Sequence, residues 1–243
     1  MPSPPGTGGP LGGEPEPGAA TFGASRPERV SPDRRLVGWE GEGWAEIDRR
    51  VGELFALVTE SLAGATETLL GQDRVGAQAL VDHDDVIDAL VREVEELVER
   101  RLADVSLPRS ELPRLVALLQ ILPELERSAD LAEHIAQRGA QGLGAEMTPR
   151  SRGLVQRMAE VGCEMWRATA DAYAEHSSAA AELDEADEEL DVLHDELTLE
   201  VARGVMPTAA ALQLVLVARF YERLGDHAVN LARRVARLAG SPA

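Results

Sequence analysis

Apolar residues recur along this chain at steps of three and four, the spacing that lines one face of an α-helix. The last run is the most complete: Leu214, Val217, Tyr221, Leu224, Ala228, Leu231, Val235 and Leu238 follow one another without a break. That predicts one long packed helix. Upstream, Ile47, Val51, Leu54, Val58, Leu62, Ala65 and Leu69 predict a first helix over about 44–70, ended by Gly71, Gln72 and Asp73, with Asp73 placed to cap the next helix. A second helix over about 73–103 turns Ile87, Leu90, Val94 and Leu97 inward. The third begins near Pro113, where proline suits a first turn, and runs to about Arg138 with Leu115, Leu118, Leu122, Leu125, Ala129 and Ala132 inward. Pro123 lies inside it, removing a backbone donor, and predicts a bend or a fresh helix start. A glycine-rich linker spans 139–149, and Thr148 with Pro149 predicts a capped start for a fourth helix. A fifth covers about 179–202 and is followed by a tight turn over 204–207. The pattern predicts six helices, three per half, each half an antiparallel bundle because short loops make consecutive helices neighbours.

Composition narrows this further. Aromatic residues make up 3% of the chain, and its apolar content is mainly Leu, Val and Ala, which suits helices better than sheets. The expected fold is all-α, two tandem antiparallel three-helix bundles. Residues 1–38 hold eight of the fourteen prolines and few large apolar residues, so a disordered N-terminal extension is expected there. A net charge of -19 repels phosphate backbones and excludes nucleic acid as a partner. The single cysteine, Cys163, allows no intramolecular disulfide and reads as a buried thiol. No apolar run approaches the roughly 18–20 residues needed to cross a bilayer, and the start of the chain lacks the pattern of a secretion signal. A cytoplasmic protein without direct membrane insertion is expected.

The polar positions carry the candidate chemistry. Glu222, Asp226 and Asn230 step by four along the last predicted helix, and Glu126, Asp130 and His134 do so along the third. The same interval of 96 residues separates Glu126 from Glu222 and Asp130 from Asp226. A second pair of acids, Asp84 and Asp88, recurs as Asp187 and Asp191, 103 residues later. Like charges one helical turn apart disfavour the helix by about 0.2–0.5 kcal/mol per pair. If the second and third helices of a half lie side by side, each presents such a pair to the other, and four carboxylates suit a hard cation such as magnesium, calcium, manganese or iron. A nitrogen from His134 would bias the first site toward iron, zinc or manganese. The competing reading is a solvated acidic face on which Arg127 and Arg223 form surface ion pairs of small value.

The duplicated acidic pattern, together with the segment Tyr-Glu-Arg-Leu-Gly-Asp-His-Ala-Val-Asn-Leu-Ala over 221–232, resembles the PhoU family of phosphate-signalling regulators. The resemblance runs from about Trp44 to Leu238, with three-helix repeats over 44–141 and 147–240. It implies a non-catalytic regulator that links a high-affinity phosphate importer to a sensor histidine kinase and keeps phosphate-starvation genes off when phosphate is plentiful. The implied partners are that kinase and the importer's ATPase subunit, with a homodimer as the expected assembly. The implied metal sites are Asp84, Asp88, Glu126 and Asp130 in one half, and Asp187, Asp191, Glu222 and Asp226 in the other. His134 and Asn230 are secondary candidates, and iron, manganese, magnesium or zinc the candidate ions. Ser128 and Ala129 stand where the family usually has an apolar residue and glycine, which makes the second half the safer site. Two other readings remain at this point, a carboxylate-bridged di-metal bundle enzyme and a helical scaffold with no phosphate link. Against the enzyme, none of the five histidines follows a glutamate by three residues, and no phosphate-cradling loop, Gly-x-Ser-x-Gly or His-Glu-x-x-His is present.

Overall fold

The computed structural model describes residues 42–82 and 85–238, which fold as helices α1 (Glu42–Gly71), α2 (Arg74–Val81), α3 (Asp85–Leu102), α4 (Leu112–Ala140), α5 (Leu143–Glu146), α6 (Pro149–Glu175), α7 (Ala180–Ala202) and α8 (Thr208–Leu238). The extension expected over 1–38 lies outside the described residues. Among those residues there is no strand, and no helix is long and apolar enough to cross a membrane.

Several helix ends follow directly from the sequence. Gln72 turns into the left-handed region at φ 60° and closes α1, and the Asp73 carboxylate then accepts from the backbone N–H of Gly76 at 2.9 Å to open α2. At the start of α6 the Thr148 hydroxyl accepts from the N–H of Ser151 at 3.1 Å, with Pro149 in the first turn.

Two expectations are corrected. The helix predicted over 73–103 is two helices, because α2 ends at Asp82, whose N–H bonds back to the carbonyls of Gln78 and Leu80. Continuing the helix would stack the like charges of the acid-rich stretch over 82–85. The glycine-rich linker also contains the single-turn α5, so six predicted helices become eight segments among the described residues. The alternative of a fresh start at Pro123 is excluded, since α4 runs through it as one helix. Leu119, whose carbonyl loses its donor there, sits on the exposed side of α4, open to solvent.

In the first half α1, α3 and α4 pack pairwise, with α2 lying across α1 and α4; in the second half α6, α7 and α8 do the same. The halves meet through α1 on α6 and α4 on α8, so one continuous core holds residues of both. Phe55 of α1 sits 6.2 Å from Trp166 and 5.6 Å from Tyr173 of α6, centroid to centroid. The hydroxyls of Thr66 on α1 and Tyr221 on α8 share a buried hydrogen bond of 2.5 Å. At one end a polar network ties three helices. Buried Arg114 of α4 pairs with Asp48 of α1 and lies 4.0 Å over the Trp44 ring, and the Tyr173 hydroxyl of α6 donates to the same Asp48 carboxylate at 2.9 Å. This packing fixes α3 beside α4 and α7 beside α8, the two seams on which the acidic pairs stand.

Candidate functional site

In the second half the four acids expected to act together face one another across the α7–α8 seam. The Asp187 carboxyl is pushed up to about 6, first by burial and then by the charges of Asp226, Asp191 and Asp184. Asp191 also rises, through burial and then the charges of Glu222 and Asp226. Each acid on α7 therefore feels at least one on α8. Glu222 is half-buried, and its Oε2 is shut from solvent with no hydrogen-bond partner among the described residues, while the other oxygen pairs with Arg219. A buried carboxylate oxygen without a donor is costly. A cation over the seam would satisfy it, so the donors present fit a hard metal ion.

Gly225 explains how α7 approaches so closely. A Cβ there would come within 2.6 Å of Leu190 Cδ1 and 2.9 Å of Asp187 Oδ1, so the missing side chain lets the Asp187 carboxylate lie over the α8 backbone. The corresponding residue of the first half is Ala129, which is buried and lines a small cavity with Ile87 and Leu80.

The first half shows a weaker version of the same seam. Glu126 of α4 is half-buried, and its carboxyl is raised by burial and then by Asp88 of α3, Asp130 and Glu95. Asp88 lies in the first turn of α3, 4.0 Å from Arg92. Asp84, the remaining acid of this set, lies outside the described residues. Among the described residues no three Asp, Glu, His or Cys side chains close into a metal-binding group.

The third rungs behave differently from the acids. His134 is half-buried, with its ring 5.4 Å from the Phe220 ring of α8, so it faces the junction of the halves rather than α3. Asn230 is exposed on α8. Of the ladders expected to face outward, Asp191, Asp226 and Asn230 are exposed, whereas Asp88, Glu126, Asp130, Asp187 and Glu222 are half-buried. Sequence reasoning missed Arg219, Asp184 and Glu95, which set the local charge; Arg219 and Asp184 sit three residues from Glu222 and Asp187, a spacing that puts them on the same face. It also missed a buried polar contact between the halves, where the Ser128 hydroxyl meets His227 Nδ1 at 2.9 Å. Burial pushes the His227 ring down, against the opposing charge of Glu124.

One pH effect follows from the second seam. A carboxyl raised in the folded state above its ordinary 3.8 holds its proton more tightly when folded, so its contribution to stability is full at low pH and is lost as pH rises through about 6. The metal-free protein is expected to lose stability between pH 4 and 6 from this group, with Asp191 adding in the same direction. Urea midpoints at several pH values check this; Asp187→Asn should flatten the slope, and an equally steep slope in that variant would refute the assignment.

Two similar helical units, each with acids of adjacent helices opposed across a seam, define a duplicated all-α protein with paired carboxylate edges. The PhoU domain matches the chain twice, over residues 51–139 and 155–235, and the chain belongs to the PhoU family. Membership in this family of accessory proteins makes it a non-catalytic regulator, and the di-metal enzyme reading falls away. It is 30% identical over 201 residues to the phosphate-specific transport system accessory protein PhoU homolog 2 of Mycobacterium tuberculosis, covering 80% of this chain and 93% of that protein. The fold is similar to the crystal structure of PhoU from Pseudomonas aeruginosa, with a TM-score of 0.73 at 24% identity over 81% of this chain and 96% of that one. It is also similar to the phosphate transport system regulatory protein PhoU from Streptococcus pneumoniae, with a TM-score of 0.70 at 21% identity over 80% and 93% of the two chains.

Proposed function

We propose that this protein is a cytoplasmic regulator of phosphate uptake that restrains phosphate-starvation signalling while phosphate is plentiful. Its relatives are phosphate-specific transport system accessory proteins, which supports the link to a phosphate importer. In this reading its helical faces dock reversibly on a sensor histidine kinase and on the importer's ATPase subunit, and the working form is a homodimer. Each repeat, taken as 44–141 and 147–240, carries one cation site. Asp187, Asp191, Glu222 and Asp226 hold the second, and Asp88, Glu126 and Asp130 with Asp84 the first, with His134 and Asn230 at the margins.

The observation that carries the metal reading is the buried, unpartnered Oε2 of Glu222, whose charge acts on Asp191 across the seam, on an edge where burial and then Asp226 and Asp191 raise the Asp187 carboxyl to about 6. Oxygen donors alone select magnesium, calcium, manganese or iron, and zinc becomes competitive only where His134 contributes. A bound ion would supply positive charge, cancelling the repulsion across the seam and changing the field that a docking partner meets.

Deleting the gene is expected to raise expression of phosphate-scavenging genes in phosphate-rich medium, read with a starvation-promoter reporter and by phosphate uptake. Unchanged reporter and uptake would refute the regulatory role.

A further inference from the structure

An open groove of about 610 Å³ runs between α1 and α3, and among the described residues none of the seam acids lines it. Its floor is aliphatic, formed in part by Leu57, Val86 and Leu90, and Val86 is 52% exposed. Its rim is acidic, with Glu53 and Glu60 on one wall and Asp85 and Glu93 on the other. Arg50 is the cation lining it, and its guanidinium already bonds Glu46 at 2.9 Å and Glu93 at 2.8 Å. Glu60 and Asp85 form no ion pair among the described residues. An aliphatic floor ringed by carboxylates fits an occupant that brings apolar side chains and positive charge together.

The chain supplies such a segment next to this groove. Residues 34–41 read Arg-Arg-Leu-Val-Gly-Trp-Glu-Gly and lead directly into α1 at Glu42. In a chain with 43 acidic and 24 basic residues, two adjacent arginines beside Leu36, Val37 and Trp39 complement the groove in both charge and hydrophobicity. The reach also matches. At about 1.5 Å per residue, positions 50–60 of α1 lie about 12–27 Å along the helix from residue 42. At about 3.3 Å per residue, eight residues of extended chain span about 26 Å.

We propose that the α1–α3 groove is the docking surface for the chain's own residues 34–41, which fold back along α1. Leu36 and Val37 cover the floor toward Leu57 and Val86, Trp39 lies nearer the Arg50 end of the groove, and Arg34 and Arg35 pair with Glu60 and Asp85. The contact is partly electrostatic and weakens as salt screens it. It is independent of any metal on the seams and of the phosphate role.

Cross-linking in the full chain tests the placement. Val37→Cys is combined with Ala89→Cys on the groove wall, or with Glu188→Cys on α7, which packs on α6 and α8 and on neither α1 nor α3. Cys163 is buried, with its thiol pushed up by burial, and does not compete for a short bis-maleimide. Docking raises the local concentration of the two thiols, so the groove pair should give about tenfold more intrachain product than the α7 pair. That excess should fall with Arg34→Glu plus Arg35→Glu, and return when Glu60→Arg and Asp85→Arg are added. Equal yields for the two pairs, or a groove yield indifferent to charge reversal, would overturn the proposal. Product formed only between chains would also overturn it, assigning the groove to a second copy of the protein.

Discussion

The double substitution Glu222→Ala with Asp226→Ala is expected to strip metal from the second seam and, in the same protein, to leave the metal-free fold intact. Both effects have one cause. Asp226 is exposed and Glu222 half-buried, and both lie outside the stripe formed by Leu214, Val217, Tyr221, Leu224, Ala228 and Leu231, so the core does not depend on them. Removing them relieves like-charge contacts with Asp187 and Asp191 across the seam. With metal the order reverses. An ion held at about one hundred times its dissociation constant stabilises the wild type by about 2.7 kcal/mol, and the variant loses the second-seam share of that gain. Elemental analysis of protein purified without chelator, paired with thermal unfolding with and without manganese, reads both effects. Equal metal content in wild type and variant, or an equal metal-induced rise in Tm, would leave the seam a solvated acidic edge.

The second large effect concerns stability. Arg114→Ala is expected to cost about 3 kcal/mol, the low end for breaking a buried ion pair, because Asp48 keeps about a third of its side chain in water. The loss has three parts: the pair with Asp48, the stacking on Trp44, and a Tyr173 hydroxyl left facing an uncompensated carboxylate. Arg114→Lys keeps the charge but not the planar fork, so it should fall between the two. Because Asp48, Arg114 and Tyr173 belong to α1, α4 and α6, the network spans both halves, and urea unfolding of the variant should remain a single transition at a lower midpoint. A cost below about 1 kcal/mol, the range of a surface pair, would show that the network contributes little.

Much of this architecture was legible before any coordinates. The apolar stripes of α1, α4, α6, α7 and α8 mark those helices correctly, and Asp73 and Thr148 cap where a side-chain oxygen ahead of an apolar run should. The break between α2 and α3 was hidden because the apolar period continues on both sides of it, and only the acids over 82–85 argue against one helix. The seams were legible as spacing but not as burial. A four-residue step advances about 400° around a helix, so successive rungs drift by about 40°, and the third rung is turned about 80° from the first. That drift carries His134 out of line with Glu126 and toward Phe220, which a count of steps alone does not reveal. The Ser128–His227 contact joins residues 99 apart on helices of different halves, and no local pattern predicts such a pairing.

Ser128 and Ala129 illustrate a substitution whose consequence needs the structure. Gly225 leaves room for Asp187 Oδ1 and Leu190 beside α8, whereas Ala129 carries a methyl at the corresponding place in the first half. The two seams are therefore unequal for a steric reason, and a cation should bind the second more tightly.

Anomalous diffraction from crystals of the full chain grown with manganese locates the ion rather than counting it. A peak is expected on the α7–α8 seam within about 2–2.6 Å of oxygens from Asp187, Asp191, Glu222 or Asp226, with a weaker one at Glu126 and Asp88. Manganese peaks confined to other surfaces, with ordered carboxylates and water alone along both seams, would contradict the metal reading.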